Sequence, residues 1–199
     1  MRLLKLIAVP LLFVSAPAFS QRLFSIGIKG GVPLSDAFSN HTTPGIDTFV
    51  HSFTDSKNYV IGPFAELRLP FGFAVEADAL YRPLDLTTDF TLVPQPPARS
   101  AFNISSWEFP ILGKYHIFHA PVINPYVEAG PIFRATGSKA SYLSNAGFAI
   151  GGGVDVKILR VRFTPELRYS RWGQDATVLG FVTYPSNLNQ TEFLLGLSF

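Results

Sequence analysis

The residue types needed for hydrolysis are concentrated in one polar segment, which contains Asp47, His51, Ser52 and Asp55. A serine hydrolase needs a histidine base against the serine hydroxyl and a carboxylate that orients the histidine. His51 and Ser52 are adjacent rather than spaced along one strand face. The same segment supplies the aspartate and histidine of a protease pair, but polar surface loops normally carry such residues. We therefore predict that the chain is not an enzyme.

Metal and cofactor chemistry finds no better support in the sequence. His41 and His51 form one histidine pair and His116 and His119 form another, but spacing places no third ligand near either pair. Cysteine is absent, which excludes thiolate metal sites, disulfides and a lipid-modified cysteine. The glycine run at residues 151–153 lacks the helix and the Lys-Ser/Thr pair of a phosphate-binding loop. We expect no cofactor and no metal.

The charge balance argues against nucleic acid as a partner. The formal net charge is +2, and two of the basic residues, Arg2 and Lys5, lie in an N-terminal segment that we expect to be removed. The rest of the chain is then formally neutral, and it has no basic run interleaved with aromatic residues.

The N-terminal segment has the layout of a secretory signal. Residues 1–5 include the basic residues Arg2 and Lys5, residues 6–14 are apolar, and residues 15–20 are mostly small. The apolar run is shorter than the roughly 20 residues of a spanning helix. We predict a signal peptide over residues 1–20, cleaved between Ser20 and Gln21 or at the alternative site over residues 16–18, and a single domain over residues 21–199.

The remainder of the chain is dominated by alternation with a period of two, which is typical of strands. The composition agrees, with 19 Phe, 7 Tyr and 16 Gly against one Met. Eight alternating segments of about ten residues each match the length of tilted transmembrane strands. These segments begin near Phe24, Ile61, Phe73, Trp107, Pro125, Phe148, Val161 and Phe193.

The connections between these segments alternate in length, as they do in bacterial outer-membrane barrels. The long connections cover residues 35–58, 89–103, 136–145 and 173–189, and the short ones cover 70–72, 119–124 and 159–160. We therefore predict an all-β fold: an eight-stranded, antiparallel, up-and-down transmembrane β-barrel in the outer membrane of a Gram-negative cell. Hydrocarbon solvates no free backbone N–H or C=O, so such a sheet has to close.

The two faces of the predicted strands differ in kind. One face is apolar and carries no charge within the strand cores, as lipid requires. The other face combines glycine with charges of both signs, which we expect to form a network of ion pairs inside a plugged barrel. The acids on this face are Glu66, Glu76, Asp78, Glu108, Glu128, Asp155, Glu166 and Glu192, and the bases are Lys29, Arg68, Arg82, Lys114, Arg134, Lys157, Arg162 and Arg168.

Aromatic residues near the strand ends predict girdles at the two membrane interfaces. Phe199 ends an alternating strand, which resembles the C-terminal signal read by the barrel-assembly machinery. The predicted girdle residues are Tyr59, Tyr81, Trp107, Tyr115, Tyr126, Tyr169 and Trp172.

Three motifs resemble the PorT-like family of outer-membrane barrels. Residues 27–35 (GIKGGVPLS) resemble its "G-x-K-G-G-x-x-x-S" opening, and residues 107–115 (WEFPILGKY) resemble its "L-E-I-P-x-L-x-K-Y" strand. Residues 125–131 (PYVEAGP) resemble the following "P-Y-x-x-x-G-P" strand. The resemblance implies an eight-stranded barrel of the OmpA-like and OmpW-like group. The named member of the family serves protein secretion, but fold membership does not carry that role to this chain.

Three functions remain open from the sequence. The first is a non-enzymatic structural or interaction barrel that acts through its surface loops, with a protein partner there. The second is a narrow porin-like channel for small or amphipathic solutes. The third, least favoured, is a barrel enzyme that modifies lipid A. The expected partners are outer-membrane lipid and, during biogenesis, the barrel-assembly machinery.

Overall fold

A computed structural model describes most of the predicted barrel domain. The described residues are 23–37, 41–45, 48–54, 59–92, 98–118, 120–136, 144–173, 178–179, 182–183 and 187–199. The predicted signal segment, its cleavage site at Ser20 and Gln21, and His119 lie outside these residues. Across the described residues, no helix has the length and apolar character needed to cross a membrane.

The described residues form strands almost throughout, joined at one point by a 3₁₀ turn over Pro70–Gly72. The strands are β1 (Phe24–Pro33), β2 (His41–Gly45), β3 (Thr48–Thr54), β4 (Val60–Arg68), β5 (Phe73–Asp78), β6 (Leu80–Leu92), β7 (Ala98–His116), β8 (Ile123–Thr136), β9 (Ala146–Ile158), β10 (Val161–Trp172), β11 (Val178–Leu179), β12 (Val182–Thr183) and β13 (Asn189–Ser198).

Nine of these strands close into a barrel with eight strand positions, because β5 and β6 share one position. β1 pairs with β13 on one side and with β4 on the other, both antiparallel, so the sheet returns to its starting strand. β5 and β6 act as one barrel strand, because Ala77 opposite Ile111 and Leu80 opposite Glu108 keep a single register on β7. The order β1, β4, β5–β6, β7, β8, β9, β10, β13 confirms the predicted eight-stranded antiparallel up-and-down barrel. Closure leaves this ring without free edges.

Alternation along each strand decides which side chains enter the barrel. In β8, Tyr126 and Glu128 are buried inside, whereas Val127 and Phe133 are exposed on the outer wall. Successive side chains of a strand point to opposite faces, so one sequence parity faces the interior and the other faces outward.

Short connections gather at one end of the barrel, which we call the turn end. There β4 and β5 are joined through Pro70–Gly72, and β9 and β10 are joined through residues 159–160. Leu159 has a φ of 58° and Phe71 a φ of 64°, both in the left-handed region that favours glycine. These tight turns therefore hold two non-glycine residues in a costly conformation.

The opposite end, which we call the loop end, contains more strand than we predicted. The prediction that residues 35–58 and 89–103 are loops is wrong in part, because β2 and β3 lie in the first and the β6–β7 hairpin extends far into the second. β3 pairs with β6 from Thr54 opposite Leu86 to Thr48 opposite Leu92. A four-stranded sheet of β2, β3, β6 and β7 therefore continues beyond the barrel. The fourth long connection also contains a small pair of strands, β11 and β12.

Candidate functional site in the barrel interior

The sixteen charges predicted to face inward lie on the inner face, in groups at the centre and towards both ends of the barrel. Fourteen of them are buried, and the other two, Arg68 and Lys157, are partly exposed near the turn end. A buried charge is tolerated only where an opposite charge and further hydrogen bonds compensate it. The stability of the interior therefore depends on the partners of the buried charges.

Lys29 and Lys114 form the centre of the network. The Lys29 ammonium lies 2.5 Å from Glu76 Oε1 and 2.9 Å from Glu166 Oε2. The Lys114 ammonium lies 2.6 Å from the other oxygen of Glu76 and 3.5 Å from Glu128. Glu76 therefore bridges the two lysines, one from β1 and one from β7.

Arg168 ties opposite walls of the barrel together. Its Nη2 lies 2.6 Å from Glu166 Oε1 and 2.9 Å from Asp78 Oδ2, so one guanidinium of β10 reaches a carboxylate of β5 across the lumen. Its Nε donates to Glu128 Oε1 at 3.2 Å, and Nη1 lies 3.8 Å from Glu192. The side chain is fully buried. Its five N–H groups make arginine suited to joining several carboxylates at once.

A second group of charges lies towards the turn end. Arg162 contacts Glu66 Oε1 at 2.6 Å and Asp155 Oδ2 at 3.2 Å. The same guanidinium donates to Ser25 and Ser198, near the two ends of the described chain. This arginine therefore joins the first and last barrel strands through their side chains.

A third group lies towards the loop end. Arg134 Nη2 lies 2.8 Å from Glu108, the residue directly opposite it on the neighbouring strand. Arg134 and Arg82 both donate to Gln190 Oε1. The Arg134 guanidinium also lies 3.6 Å from the ring centroid of Trp172, in a cation–π contact.

Apolar side chains fill the interior beside these charges. Leu112, Ile132, Ala149 and Trp172 form one buried cluster. A second buried cluster contains Val60, Leu80 and Leu194. A ring of eight strands encloses a space just wide enough for side chains, and here those side chains occupy it.

Two of the predicted girdle aromatics lie inside the barrel. Tyr126 and Trp172 are both almost fully buried, so their predicted place at the membrane interface is wrong. Tyr126 donates a hydrogen bond of 3.0 Å to Glu166 Oε2. Sequence parity identifies both positions, since Tyr126 is two residues from inward-facing Glu128 and Trp172 is four from Arg168. Proximity to a strand end was the weaker criterion.

The glycine run of β9 makes room for these interior side chains. A Cβ at Gly153 would lie 2.6 Å from the Tyr126 hydroxyl oxygen, and one at Gly151 would lie 2.9 Å from Glu128 Oε1. The large side chains of β8 therefore pack against a stretch of β9 that has no side chains on its inner face.

His116 is the histidine whose side chain the structure describes, and it lies inside the barrel at the turn end. His116 Nε2 lies 3.2 Å from Asp155 Oδ2, and its Nδ1 lies 3.2 Å from the backbone oxygen of Gly72. Both ring nitrogens are thus used in structural contacts. His41 and His51 lie in β2 and β3, which belong to the sheet beyond the barrel.

Three buried carboxylates have oxygens close enough together to resemble a cation site. Ligand oxygens of Glu76, Glu128 and Glu166 all lie within 4.8 Å of one another. However, the ammonium groups of Lys29 and Lys114 contact these same carboxylates. The lysines supply the positive charge that a metal ion would bring, so the donor set does not fit a resident cation.

The outer wall is apolar where the inner wall is charged. Large exposed side chains such as Ile28, Ile111, Phe133, Phe148 and Leu195 cover it. A soluble protein rarely exposes an apolar patch of such extent, whereas a surface that meets lipid requires one.

Aromatic pairs border this apolar wall at both ends. Towards the loop end, the ring of Tyr81 lies 6.5 Å from that of Tyr59 and 5.5 Å from that of Trp107. Towards the turn end, the rings of Phe73 and Tyr115 are 5.1 Å apart. Eight residues of β7 separate Trp107 from Tyr115, about 26 Å along the strand and about 20 Å along the axis of a strand tilted by about 40°. That height is close to the apolar band of about 25 Å in outer-membrane barrels.

These features define a class of protein: a closed antiparallel eight-stranded barrel with a charged interior and an apolar outer wall. Among solved structures, the outer membrane protein OprG from Pseudomonas aeruginosa is similar, with a TM-score of 0.59 and 15% identity over 88% of this chain and 93% of that chain. Likeness at this identity shows the fold alone.

Other comparisons add no family. The transport unit of the autotransporter AIDA-I from Escherichia coli aligns over 94% of this chain and 93% of that chain, at 11% identity and a TM-score of 0.34, too low to indicate a common fold. No protein-family profile matches the chain. No curated protein matches it either.

Proposed function

We propose that this protein is a non-enzymatic integral outer-membrane barrel whose interior is closed by paired charges and whose surface loops contact other molecules. The observation that carries the proposal is the contrast between the two walls. Among the described side chains of the barrel strands, all the charges except Arg171 lie on the inner face, and the outer wall between the aromatic pairs is apolar. That arrangement suits lipid outside and a plugged interior. The opposite arrangement, with the charges facing lipid, would be unstable.

The sheet beyond the barrel supports a role for the loop end. β2 and β3 extend the long β6–β7 hairpin, so this end presents an ordered surface rather than simple connections. Binding sites are commonly built where a rigid scaffold holds such segments. A protein partner at this surface is part of the proposal.

Location and assembly are also part of the proposal. A secretory signal over residues 1–20 and a terminal Phe199, which is exposed on the outer wall, would suit export and insertion by the barrel-assembly machinery. The PorT-like motifs in β1, β7 and β8 favour that family as the origin of the chain. Membership stays a prediction, since no family profile matches.

The first test is electrophoretic. The full chain is expressed in a Gram-negative host, and the outer-membrane fraction is run on a gel with and without boiling. A closed, detergent-resistant barrel runs faster when it has not been boiled. Equal mobility together with protein in the soluble periplasm would contradict the proposal.

The second test separates a plugged barrel from a narrow channel. Buried polar atoms that lack a hydrogen-bond partner among the described side chains, such as Arg82 Nε and both carboxylate oxygens of Glu192, are the observation that favours water in the lumen. We expect planar-bilayer recordings of the purified barrel to show no steady openings. Steady openings that disappear when the barrel is unfolded would establish the channel instead.

A further inference from the structure

Among the barrel-strand side chains that the structure describes, one charge lies on the outer wall. Arg171 lies on β10 with the outward parity of Leu167 and Tyr169, and its side chain is exposed on the outer wall. The other charged side chains described in the barrel strands have inward parity. A charge on a wall that faces lipid is expensive except near the interface, where a headgroup or water can solvate it.

The surroundings of Arg171 hold its guanidinium in place. Nη1 donates to Asn189 Oδ1 at 2.9 Å, and the Tyr169 hydroxyl donates to the same oxygen at 2.6 Å. Arg171 and Asn189 lie directly opposite each other on β10 and β13. No carboxylate lies within ion-pair distance of Arg171 among the described side chains. The remaining guanidinium N–H groups and the Asn189 amide are therefore donors available to an anion.

An apolar groove lies beside this polar group. It has a volume of about 530 Å³, and its lining includes Phe148, Ile150, Tyr169, Leu188 and the backbone of Gly147. The arrangement places donors for an anionic group at the loop end and an aliphatic and aromatic slot beside them.

We propose that this surface of β9, β10 and β13, which we call the Arg171 groove, binds the phosphorylated glycolipid lipid A from the outer leaflet. The proposal rests on the proposed membrane location of the barrel. Arg171 and Asn189 hold a phosphate through charge-assisted hydrogen bonds, and an acyl chain lies in the groove over Phe148 and Ile150. Charge complementarity favours this occupant, because the Arg171 guanidinium matches the negative phosphates of lipid A. In outer-membrane barrels the longer loops lie on the extracellular side, where the leaflet carries this lipid. An acyl chain without a phosphate would make no charge-assisted hydrogen bond to the guanidinium.

The test uses the purified full-length barrel in detergent, titrated with bis-phosphorylated lipid A and analysed by native mass spectrometry. We expect wild type to retain the lipid and Arg171→Gln to retain it about tenfold less well, since one charge-assisted contact of this kind is lost. Asn189→Ala should weaken retention less. The matched control is Arg160→Gln, which removes an equal charge from the turn at the other end of the barrel.

Two further arms separate the two halves of the site. Lipid A from which the phosphates have been removed should bind wild type and Arg171→Gln equally weakly, and inorganic phosphate alone should not displace the lipid. Ile150→Trp, which fills the groove and leaves the charge intact, should also reduce retention.

Each outcome bears on the proposal separately from the barrel itself. Equal retention by wild type and Arg171→Gln would overturn it and leave Arg171 as an interfacial anchor. Equal losses in Arg171→Gln and Arg160→Gln would overturn it in favour of unspecific attraction. All variants are first checked for faster migration without boiling, so failure of the barrel proposal would be visible before any lipid is added.

Discussion

The inner and outer walls of this barrel are made of the same strands, but they are stabilised in different ways. On the inner wall, Glu76, Lys114 and Arg168 are buried with charged partners at 2.5 to 3.8 Å. On the outer wall, Ile111 and Leu167 are exposed and would meet lipid without specific partners. The inner wall therefore depends on exact pairing between residues, and the outer wall depends only on polarity. The effect of a substitution on stability should therefore depend on which wall the residue faces.

The largest effect is expected from removing the charge that joins the most partners. Arg168→Met leaves Asp78, Glu128 and Glu166 without their shared guanidinium, and breaking a buried ion pair costs about 3–5 kcal/mol. The free energy of unfolding, measured by urea titration in lipid vesicles, should fall by that amount. The control is Leu167→Met on the adjacent outward position, where a change below about 1.5 kcal/mol is expected. Equal losses at the two positions would mean that the two walls do not differ in this way.

A charge placed on the outer wall should have the next largest effect. Ile111→Arg lies midway between the aromatic positions Trp107 and Tyr115 on β7, where an arginine facing lipid costs about 2–4 kcal/mol. The same urea titration measures it. Val122→Arg, in the exposed turn before β8, should cost only about 0–1 kcal/mol. A large loss at Val122 as well would argue against lipid as the cause of the depth dependence.

Glycine positions should show the same contrast on a smaller scale. A Cβ at Gly153 would lie 2.4 Å from the Pro165 backbone oxygen and 2.6 Å from the Tyr126 hydroxyl. Gly153→Ala should therefore cost about 1–3 kcal/mol through overpacking. Gly113 faces outward, and its nearest atom would be 3.7 Å from the new methyl group. Both variants are compared by the temperature at which heating converts the compact, fast-migrating gel band into the slower unfolded band. Gly153→Ala should lower this temperature, and Gly113→Ala should leave it unchanged. An equal shift in both variants would refute this packing argument.

The smallest effect is expected at the aromatic border. Tyr81→Leu removes the ring contacts to Tyr59 and Trp107, which are worth about 0.5–1.5 kcal/mol beyond the area they cover. Phe133→Leu is the comparison, since Phe133 has no ring partner among the described side chains. The difference between their free energies of unfolding isolates the ring contacts, and a difference of zero would leave these aromatics no role beyond their apolar surface.

Much of the site followed from parity alone. Each of the sixteen charges was assigned to the inner wall because it alternates with apolar neighbours, and the structure places each one there. The errors came from a different criterion. Tyr126 and Trp172 were assigned to the membrane interface by residue type and closeness to a strand end, although their parity pointed inward. The loop-end sheet was missed because its strands continue past the length needed to cross a membrane.

The sequence by itself determined the number of strand positions in the barrel, the ends at which long and short connections lie, and the wall on which each of the sixteen charges lies. These are local properties, since a strand turns every second side chain to the same face whatever it pairs with. Only the tertiary structure decided which charges meet. Arg168 and Asp78 lie 90 residues apart, on strands that do not pair, and they meet at 2.9 Å. Their contact depends on how the register of every ladder around the ring sums to closure, and no segment of the chain encodes that by itself.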